Sequence, residues 1–264
     1  MAKATNVVLL HGYPFDRSMW REQFDFLDAQ GYHVVAPDLL GEPYDKLQFV
    51  GGAGPGEPNR QAEACRTMDD MARHVERLMS SLRIEQTVIC GLSMGAYVAF
   101  EFAHLFPKRV RALILAGTRA PADNEQEKQG RMKQVEQILA EGMTGIAADS
   151  LPKLLAPRTI AEKPDVADRV REMILAANPQ RAAAAQLGMA ARRDYSQDLR
   201  SLEVPALIIV GRQDPIRPVA DAEFMHRGIR NSHLEIIEDA AHLTNMEQPE
   251  IFNRAVLSFL ENPV

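Results

Sequence analysis

The feature that most constrains the fold is a glycine-serine-glycine turn at residues 91–95, read Gly-Leu-Ser-Met-Gly. Residues 87–90 before it form a short apolar run typical of a buried strand, and residues 96–100 after it favour a helix. A strand, a tight turn and a helix in this order hold the serine in a strained conformation that lifts its hydroxyl clear of the sheet. A Cβ at either glycine would clash where strand and helix approach. We therefore predict that Ser93 is a nucleophile.

Length and composition limit the class of protein. The 264 residues, 46% hydrophobic and 25% charged, suit one large soluble domain or a core with an inserted subdomain. The net charge of −6 argues against nucleic acid or an anionic membrane as the main partner, and no apolar run is long enough to span a bilayer. Cys65 and Cys90 lie in unlike contexts far apart, which argues against a disulfide framework. With no secretory signal recognised in the first residues, these features predict a cytoplasmic protein.

Apolar runs and helical patterns alternate along much of the chain. Strands are predicted at residues 7–10, 33–38, 87–90, 110–116, 206–211 and 233–237. Helical patterns between them imply right-handed crossovers and a parallel sheet, which is an α/β fold. Residues 40–59 are rich in glycine and proline and predict a long functional or mobile loop.

The alternation breaks between residues 119 and 193, where only helical segments are predicted. One of these helices should open at Asn178 as the N-cap, with Pro179 as its first residue. We predict core segments at residues 1–118 and 194–264, with 119–193 as a helical cap over the sheet edge. The alternative is that these helices replace a crossover and cover nothing.

A serine nucleophile needs a base to take its proton, and the base needs a third group to orient it. Because reactive groups collect at the carboxyl ends of parallel strands, the loops after the last two predicted strands are the places to look. Asp214 follows the first of these strands and His242 follows the second. We predict Ser93, Asp214 and His242 as the catalytic residues. A turn aspartate without a catalytic role is the alternative for Asp214, and Asp239 is the reserve acid.

A developing oxyanion needs hydrogen-bond donors as well. The backbone N–H of Met94 begins the helix after Ser93, where the helix dipole favours negative charge. The second donor is predicted to be the backbone N–H of Tyr13, because Gly12 permits a turn directly after the first strand. The alternative is that this loop is simply the end of a strand.

These motifs together resemble the α/β-hydrolase superfamily. The residues that carry the resemblance are the loop at 11–14, the turn at 91–95, the acid loop at 211–214 and the histidine at 242. Within the superfamily the chain is similar to small esterases, 3-oxoadipate enol-lactonase-like hydrolases and cofactor-free haloperoxidases. The resemblance implies an α/β-hydrolase fold, Tyr13 and Met94 as backbone oxyanion donors, and a cap near residues 119–193.

The sequence departs from the family pattern at three places. The chain starts at what would be the third strand of the family sheet. The usual Gly-x-Gly-x-Ser after the second strand is replaced by Gly41-Glu42-Pro43. Ala241 stands where relatives often have a glycine before the histidine.

The identity of the nucleophile indicates the reaction. Haloalkane dehalogenases and epoxide hydrolases resemble this pattern with an aspartate at the nucleophile position, and dienelactone hydrolases with a cysteine. Ser93 instead favours acyl transfer. We predict a carboxylesterase-type serine hydrolase (EC 3.1.1) that cleaves esters of small, mainly apolar groups through an acyl-enzyme. The alternatives are a lactonase, a cofactor-free perhydrolase or haloperoxidase, and a ligand-binding receptor of the same fold.

The substrate is predicted to be a small ester or lactone in an apolar pocket. The predicted contacts are Gly12, Phe15, Trp20, Met132, Met143 and Leu243. A dicarboxylate lactone would need a cation, but Arg119, Arg192 and Arg193 at the cap edge are predicted to be structural or solvated, which favours the ester. The histidines and cysteines lack metal-ligand spacing, so no metal or cofactor is expected. The oligomeric state stays open, with a homo-oligomer as one alternative.

Overall fold

A six-stranded parallel sheet forms the centre of the molecule. The computed structural model describes residues 5–40 and 67–262. The strands are β1 (Asn6–Leu10), β2 (His33–Val35), β3 (Thr87–Leu92), β4 (Val110–Ala116), β5 (Ala206–Gly211) and β6 (Ser232–Ile237). Their order is β2-β1-β3-β4-β5-β6, and every neighbouring pair is parallel. The predicted parallel sheet is therefore confirmed.

Helices cover both faces of the sheet. They are α1 (Arg21–Ala29), α2 (Met68–Ser81), α3 (Met94–Leu105), α4 (Glu125–Glu141), α5 (Thr144–Leu154), α6 (Pro157–Glu162), α7 (Pro164–Ala176), α8 (Pro179–Ala190), α9 (Val219–Gly228), α10 (Thr244–Glu247) and α11 (Pro249–Glu261). In β1, Val7 and Leu9 enter the apolar cluster with α1 and α11, whereas Val8 and Leu10 enter the cluster with α2 and α3. Successive strand side chains point to opposite faces, so a strand buried on both sides needs an unbroken apolar run.

Short polar signals in the sequence set where several helices begin. Thr67 and Asp70 form a reciprocal capping box at the start of α2, and Asn124 and Glu127 form another at the start of α4. Asn178 accepts a hydrogen bond from the backbone N–H of residue 181, and Pro179 is the first residue of α8. The predicted start of this helix is confirmed.

Residues 119–193, all of them described, contain the helices α4 to α8 and no strand. Helix α4 packs against α8, and α5 packs against α7. Buried residues of these helices, such as Ile146 and Val170, share one apolar cluster with Phe15 after β1 and Leu243 after β6. The helical region therefore contacts loops at the carboxyl edge of the sheet. This contact supports the cap over residues 119–193, which stays a prediction.

Two features predicted from the sequence fall outside the described ranges. The glycine- and proline-rich loop is described only at its first residue, Leu40, so Gly41-Glu42-Pro43 and the rest of it lie outside. Cys65 also lies outside, whereas Cys90 is a buried free thiol in β3. Along residues 5–40 and 67–262, no helix combines the length and the apolar character that crossing a membrane requires.

Candidate active site

Ser93 sits at the turn between β3 and α3 in a backbone conformation that is rare for a residue with a side chain. Its φ is 55° and its ψ is −111°, and strain of this kind is concentrated at functional sites. A Cβ on Gly91 would lie 2.4 Å from the backbone of Gly95, and a Cβ on Gly95 would lie 2.0 Å from the carbonyl oxygen of Leu10. The predicted steric reason for both glycines is confirmed, and the tight turn holds Ser93 at the carboxyl end of the sheet.

Asp214 and His242 meet at the carboxyl ends of β5 and β6. The Nδ1 of His242 lies 2.8 Å from Oδ2 of Asp214, and both side chains are buried. The other carboxylate oxygen, Oδ1, accepts the backbone N–H groups of Ile216 and Arg217 at 2.8 and 2.9 Å. Both oxygens are therefore occupied, so the carboxylate has one orientation. Because Nδ1–H donates to Asp214, Nε2 of His242 is the nitrogen free to accept a proton.

Glycines allow the histidine loop, residues 238–243, to approach the neighbouring strands. A Cβ on Gly211 would lie 2.0 Å from the carbonyl oxygen of Ala241, and a Cβ on Gly117 would lie 3.3 Å from Nδ1 of His242. The next residue, Thr118, donates its hydroxyl to the carbonyl oxygen of Ser93 at 3.3 Å. The end of β4 therefore lies between the Ser93 turn and the imidazole.

The reserve acid lies elsewhere. The Asp239 side chain is 47% exposed and pairs with Arg158 on α6 at 2.9 Å. Its φ is +53°, which suits a turn residue of the Asp or Asn type. Since the His242 ring contacts Asp214, the geometry favours Asp214 as the acid.

A contact that sequence reasoning missed joins the acid loop to the nucleophile helix. The Nε and Nη2 of Arg217 donate to the hydroxyl of Tyr97 at 3.1 and 2.8 Å. Tyr97 lies on α3, four residues after Ser93. Burial by itself raises the pKa of Tyr97, but the nearby charges of Arg217, Arg192 and Arg131 outweigh burial and lower it. In the sequence, the only sign of this contact is that Arg217 follows closely after Asp214. That position does not show which group accepts the hydrogen bonds of the guanidinium.

The predicted oxyanion loop lies against the residue before Ser93. A Cβ on Gly12 would lie 3.3 Å from the carbonyl oxygen of Leu92. His11 is buried, its Nε2 accepts the N–H of Leu39 at 2.8 Å, and its Nδ1 donates to the Gly12 carbonyl at 2.9 Å. Burial lowers the pKa of His11, which suits this neutral tautomer. His11 thus holds together the loops after β1 and β2, and the Tyr13 N–H stays a predicted donor beside that of Met94.

The residues predicted to contact the substrate differ in exposure. Four of them are buried in the apolar cluster that includes residues of α4, α5, α7 and α8: Phe15, Trp20, Met143 and Leu243. The ring of Trp20 also packs on Phe252 of α11, with centroids 5.9 Å apart. Met132 on α4 is 37% exposed. Substrate contact stays a prediction for all of these residues and for Gly12.

A buried charge cluster occupies the base of the helical region. Arg192 pairs with Asp123 at 2.7 Å, and the two side chains are 0% and 1% exposed. Arg119 pairs with Asp123 and with Glu127, and Arg131 also pairs with Asp123. Arg193, the third arginine that the sequence placed at the cap edge, pairs with Asp198 at 2.9 Å. The prediction that the arginines at the cap edge are structural or solvated is supported, since Arg119, Arg192 and Arg193 each pair with a carboxylate of the chain.

Replacing Asp123 with asparagine is expected to lower the free energy of unfolding by about 3–5 kcal/mol, because it leaves buried Arg192 without its counter-charge. Asp168→Asn breaks an exposed pair with Arg171 and should cost less than about 1 kcal/mol. Urea unfolding of both variants at neutral pH measures the difference. Equal losses would contradict the burial argument.

Acid should remove the same stabilisation from the wild type. Burial raises the pKa of Asp123, but the hydrogen bonds and charges of Arg131 and Arg192 outweigh burial, and the net pKa is well below its usual range. The contribution is therefore complete above the unfolded-state pKa of about 4 and is lost as the pH falls toward the folded value. The stability gap between wild type and Asp123→Asn should narrow below pH 4.

No group of three or more His, Cys, Asp and Glu side chains within residues 5–40 and 67–262 is placed to hold a metal ion. The chemistry available at the site is that of a serine hydroxyl, an oriented imidazole and backbone N–H groups. Comparison with known proteins gives the family of the chain. A family model described as the alpha/beta hydrolase fold matches residues 5–249.

The chain belongs to the α/β-hydrolase family. It is 30% identical to 3-oxoadipate enol-lactonase 2 of Acinetobacter baylyi over 90% of this chain and 82% of that protein. A thermophilic, malate-bound esterase structure from Thermogutta terrifontis is 37% identical, with a TM-score of 0.88 over 98% of this chain and 90% of that one. A Bacillus anthracis bromoperoxidase structure is 21% identical, with a TM-score of 0.82 over 98% of this chain and 93% of that one. At that identity the likeness shows the fold alone.

Proposed function

We propose that this α/β-hydrolase is a carboxylesterase that cleaves esters of small, mainly apolar acyl or alcohol groups through a serine acyl-enzyme. The observation that carries the proposal is the 2.8 Å contact between His242 Nδ1 and Asp214 Oδ2, at the same edge of the sheet as the strained Ser93 turn. Family members include enzymes named as esterases and lactonases. The comparison supports hydrolysis, and the residues of the site support the acyl-enzyme.

In the first half-reaction, Ser93 Oγ attacks the ester carbonyl carbon while its proton moves to Nε2 of His242. Asp214 holds the imidazole in the required tautomer and stabilises the positive charge. The carbonyl oxygen becomes an oxyanion, for which the N–H groups of Tyr13 and Met94 are the proposed donors. The intermediate collapses when the bond to the alcohol oxygen breaks, and His242 returns the proton to the leaving alcohol.

In the second half-reaction, water attacks the acyl carbon and gives one proton to His242. A second oxyanion forms between the same donors. Its collapse breaks the bond to Ser93 Oγ, which takes the proton back from His242, and the carboxylic acid leaves. Ser93 and His242 have returned to their starting states at the end of the cycle, and no step of this mechanism uses a cofactor.

The choice of ester over anionic lactone rests on charge. Three cations at the base of the helical region, Arg119, Arg131 and Arg192, pair with Asp123. An anionic lactone would have to compete with that carboxylate for a guanidinium. Because a relative that is 30% identical to this chain is named an enol-lactonase, a lactone is the alternative substrate.

Substrate preference tests the assignment. We expect kcat/KM on p-nitrophenyl butyrate to exceed that on 3-oxoadipate enol-lactone by about tenfold or more. The reason is that Arg119, Arg131 and Arg192 already pair with Asp123, so none of them is unpaired and able to bind the carboxylate of the lactone. A neutral lactone of similar size is the matched control for ring opening. A preference for the anionic lactone would reassign the protein as a lactonase. Activity on neither class would favour the receptor alternative.

A further inference from the structure

The backbone of the histidine loop is held by the helical region. The N–H groups of His242 and Leu243 both donate to the carbonyl oxygen of Leu154, the last residue of α5, at 3.1 Å. The N–H of Ala241 donates to Oε1 of Glu247 at 2.7 Å. Three consecutive backbone donors around the candidate base therefore have acceptors outside the sheet.

Glu247 is the centre of this arrangement. It is 0% exposed, and its second oxygen, Oε2, accepts the N–H of Ala156 at 2.6 Å and the hydroxyl of Thr159 at 2.7 Å. Its backbone carbonyl accepts Nζ of Lys163 at 2.6 Å. One buried carboxylate thus connects the residue before His242 with the junction of α5 and α6, residues 154–159.

The carboxylate suits this place better than its amide analogue. A carboxylate accepts on both oxygens, and here each oxygen accepts from a backbone N–H, a group that can only donate. A glutamine would turn its NH₂ group either toward the Ala241 N–H or toward the Ala156 N–H, so one side of the connection would lose its acceptor. A buried charge is costly unless its hydrogen bonds are satisfied. Burial raises the pKa of Glu247 despite the hydrogen bonds from Ala156, Thr159 and Ala241, so these bonds offset only part of the cost of burying the charge.

We propose that Glu247 is a positioning residue that holds His242 in line with Ser93 by tying the histidine loop to residues 154–159. The proposal rests on the hydrolase function proposed above. Small displacements of a base have large effects, since a misplacement of about 1 Å can cost on the order of a hundredfold in rate. Without Glu247, the Ala241 N–H loses its acceptor, and the backbone next to His242 loses one of its connections to residues 154–159.

The test compares two buried glutamates. Glu247→Gln is expected to lower kcat on p-nitrophenyl butyrate by about 10- to 100-fold with KM changed by less than about threefold, because orientation of the base is lost rather than binding. Glu101→Gln is the matched control, since Glu101 on α3 is also buried and accepts a hydroxyl, that of Tyr195, at 2.7 Å. Rates are counted per active serine, titrated with a fluorophosphonate, so that unfolded protein is not counted. The control should keep kcat within about twofold, whatever stability it loses.

A spectroscopic readout separates positioning from stability. The His242 Nδ1 proton, shared with Asp214, should give a low-field proton NMR resonance in the wild type that shifts or broadens in Glu247→Gln and stays in place in Glu101→Gln. An unchanged resonance and an unchanged kcat per active serine in Glu247→Gln would overturn the proposal.

A milder variant covers the case in which Glu247→Gln does not fold. Thr159→Val removes one donor to Oε2 and should lower kcat by about two- to fivefold with KM unchanged, the loss expected for one weakened positioning contact. An unchanged kcat in that variant would then overturn the proposal. Ser93→Ala is assayed beside them: if the wild type is no faster, the hydrolase function fails, while the NMR resonance still tests the position of His242.

Discussion

Replacing Ser93 with alanine is expected to reduce kcat/KM on p-nitrophenyl butyrate by at least about 10⁴-fold, since removal of a serine nucleophile leaves only binding and oxyanion stabilisation. Alanine keeps the Cβ, so it meets the same strained φ of 55° as the serine. The turn should therefore persist, and the lost group is the hydroxyl alone. Initial rates on the same ester, with an acyl chain short enough to limit pocket effects, measure the loss.

Two further measurements complete the Ser93 experiment. The melting temperature of the variant should stay near that of the wild type, because the Gly91 and Gly95 contacts that shape the turn are untouched. A stoichiometric burst of p-nitrophenol should appear only with the wild type, which would report the acyl-enzyme. Residual activity above about 1% of the wild type would contradict a nucleophilic role for Ser93.

Replacing Asp214 with asparagine is expected to lower kcat by about 10³- to 10⁴-fold. The amide must keep an oxygen toward the N–H groups of Ile216 and Arg217, which places its NH₂ toward Nδ1 of His242. The imidazole would then carry its proton on Nε2 and could not accept the proton of Ser93. The expected change is in kcat rather than KM, since the pocket is unaltered. Steady-state kinetics at pH 7 to 9 measure both constants.

Asp239→Asn is the matched control for Asp214→Asn. Asp239 pairs with Arg158 at the surface, and asparagine tolerates its φ of +53°. Activity should remain within about twofold of the wild type, because an exposed ion pair contributes little. The opposite pattern, with a large loss in Asp239→Asn and a small one in Asp214→Asn, would move the role of the acid to Asp239.

Much of the fold follows from local patterns. Unbroken apolar runs predicted the buried strands of a parallel sheet, and the spacing of Gly91 and Gly95 predicted the turn that the structure contains. Polar caps such as Asn178 marked helix starts to the residue. These features are predictable because strand burial, capping and tight turns depend on neighbours in the chain. Strand ends were less predictable: β2 ends at Val35, short of the predicted 38.

The candidate base could be selected from its position in the sequence alone. His242 follows the last strand, and parallel strands bring their carboxyl ends to one edge. The sequence therefore reduced the seven histidines of the chain to one candidate for the base. The two aspartates could not be separated in this way, because each follows a strand at that edge. Their side chains differ only in direction, which depends on how each loop folds. In the structure Asp214 contacts His242 and Asp239 pairs with Arg158, which favours Asp214 as the acid.

The residues around the candidate site show where local information ends. Glu247 reads in the sequence as an ordinary glutamate before a helix that opens at Pro249, and Asp123 and Arg192 are 69 positions apart. A turn, a helix cap or an apolar face is determined by residues a few positions away in the chain, so each can be predicted from the sequence. Whether a charge is buried, and which donor satisfies it, depends on segments that meet only when the chain has folded. The turn of the candidate nucleophile and the sheet belong to the first kind. The Asp214–His242 contact, the Arg217–Tyr97 contact and the hydrogen bond from Ala241 to Glu247 belong to the second.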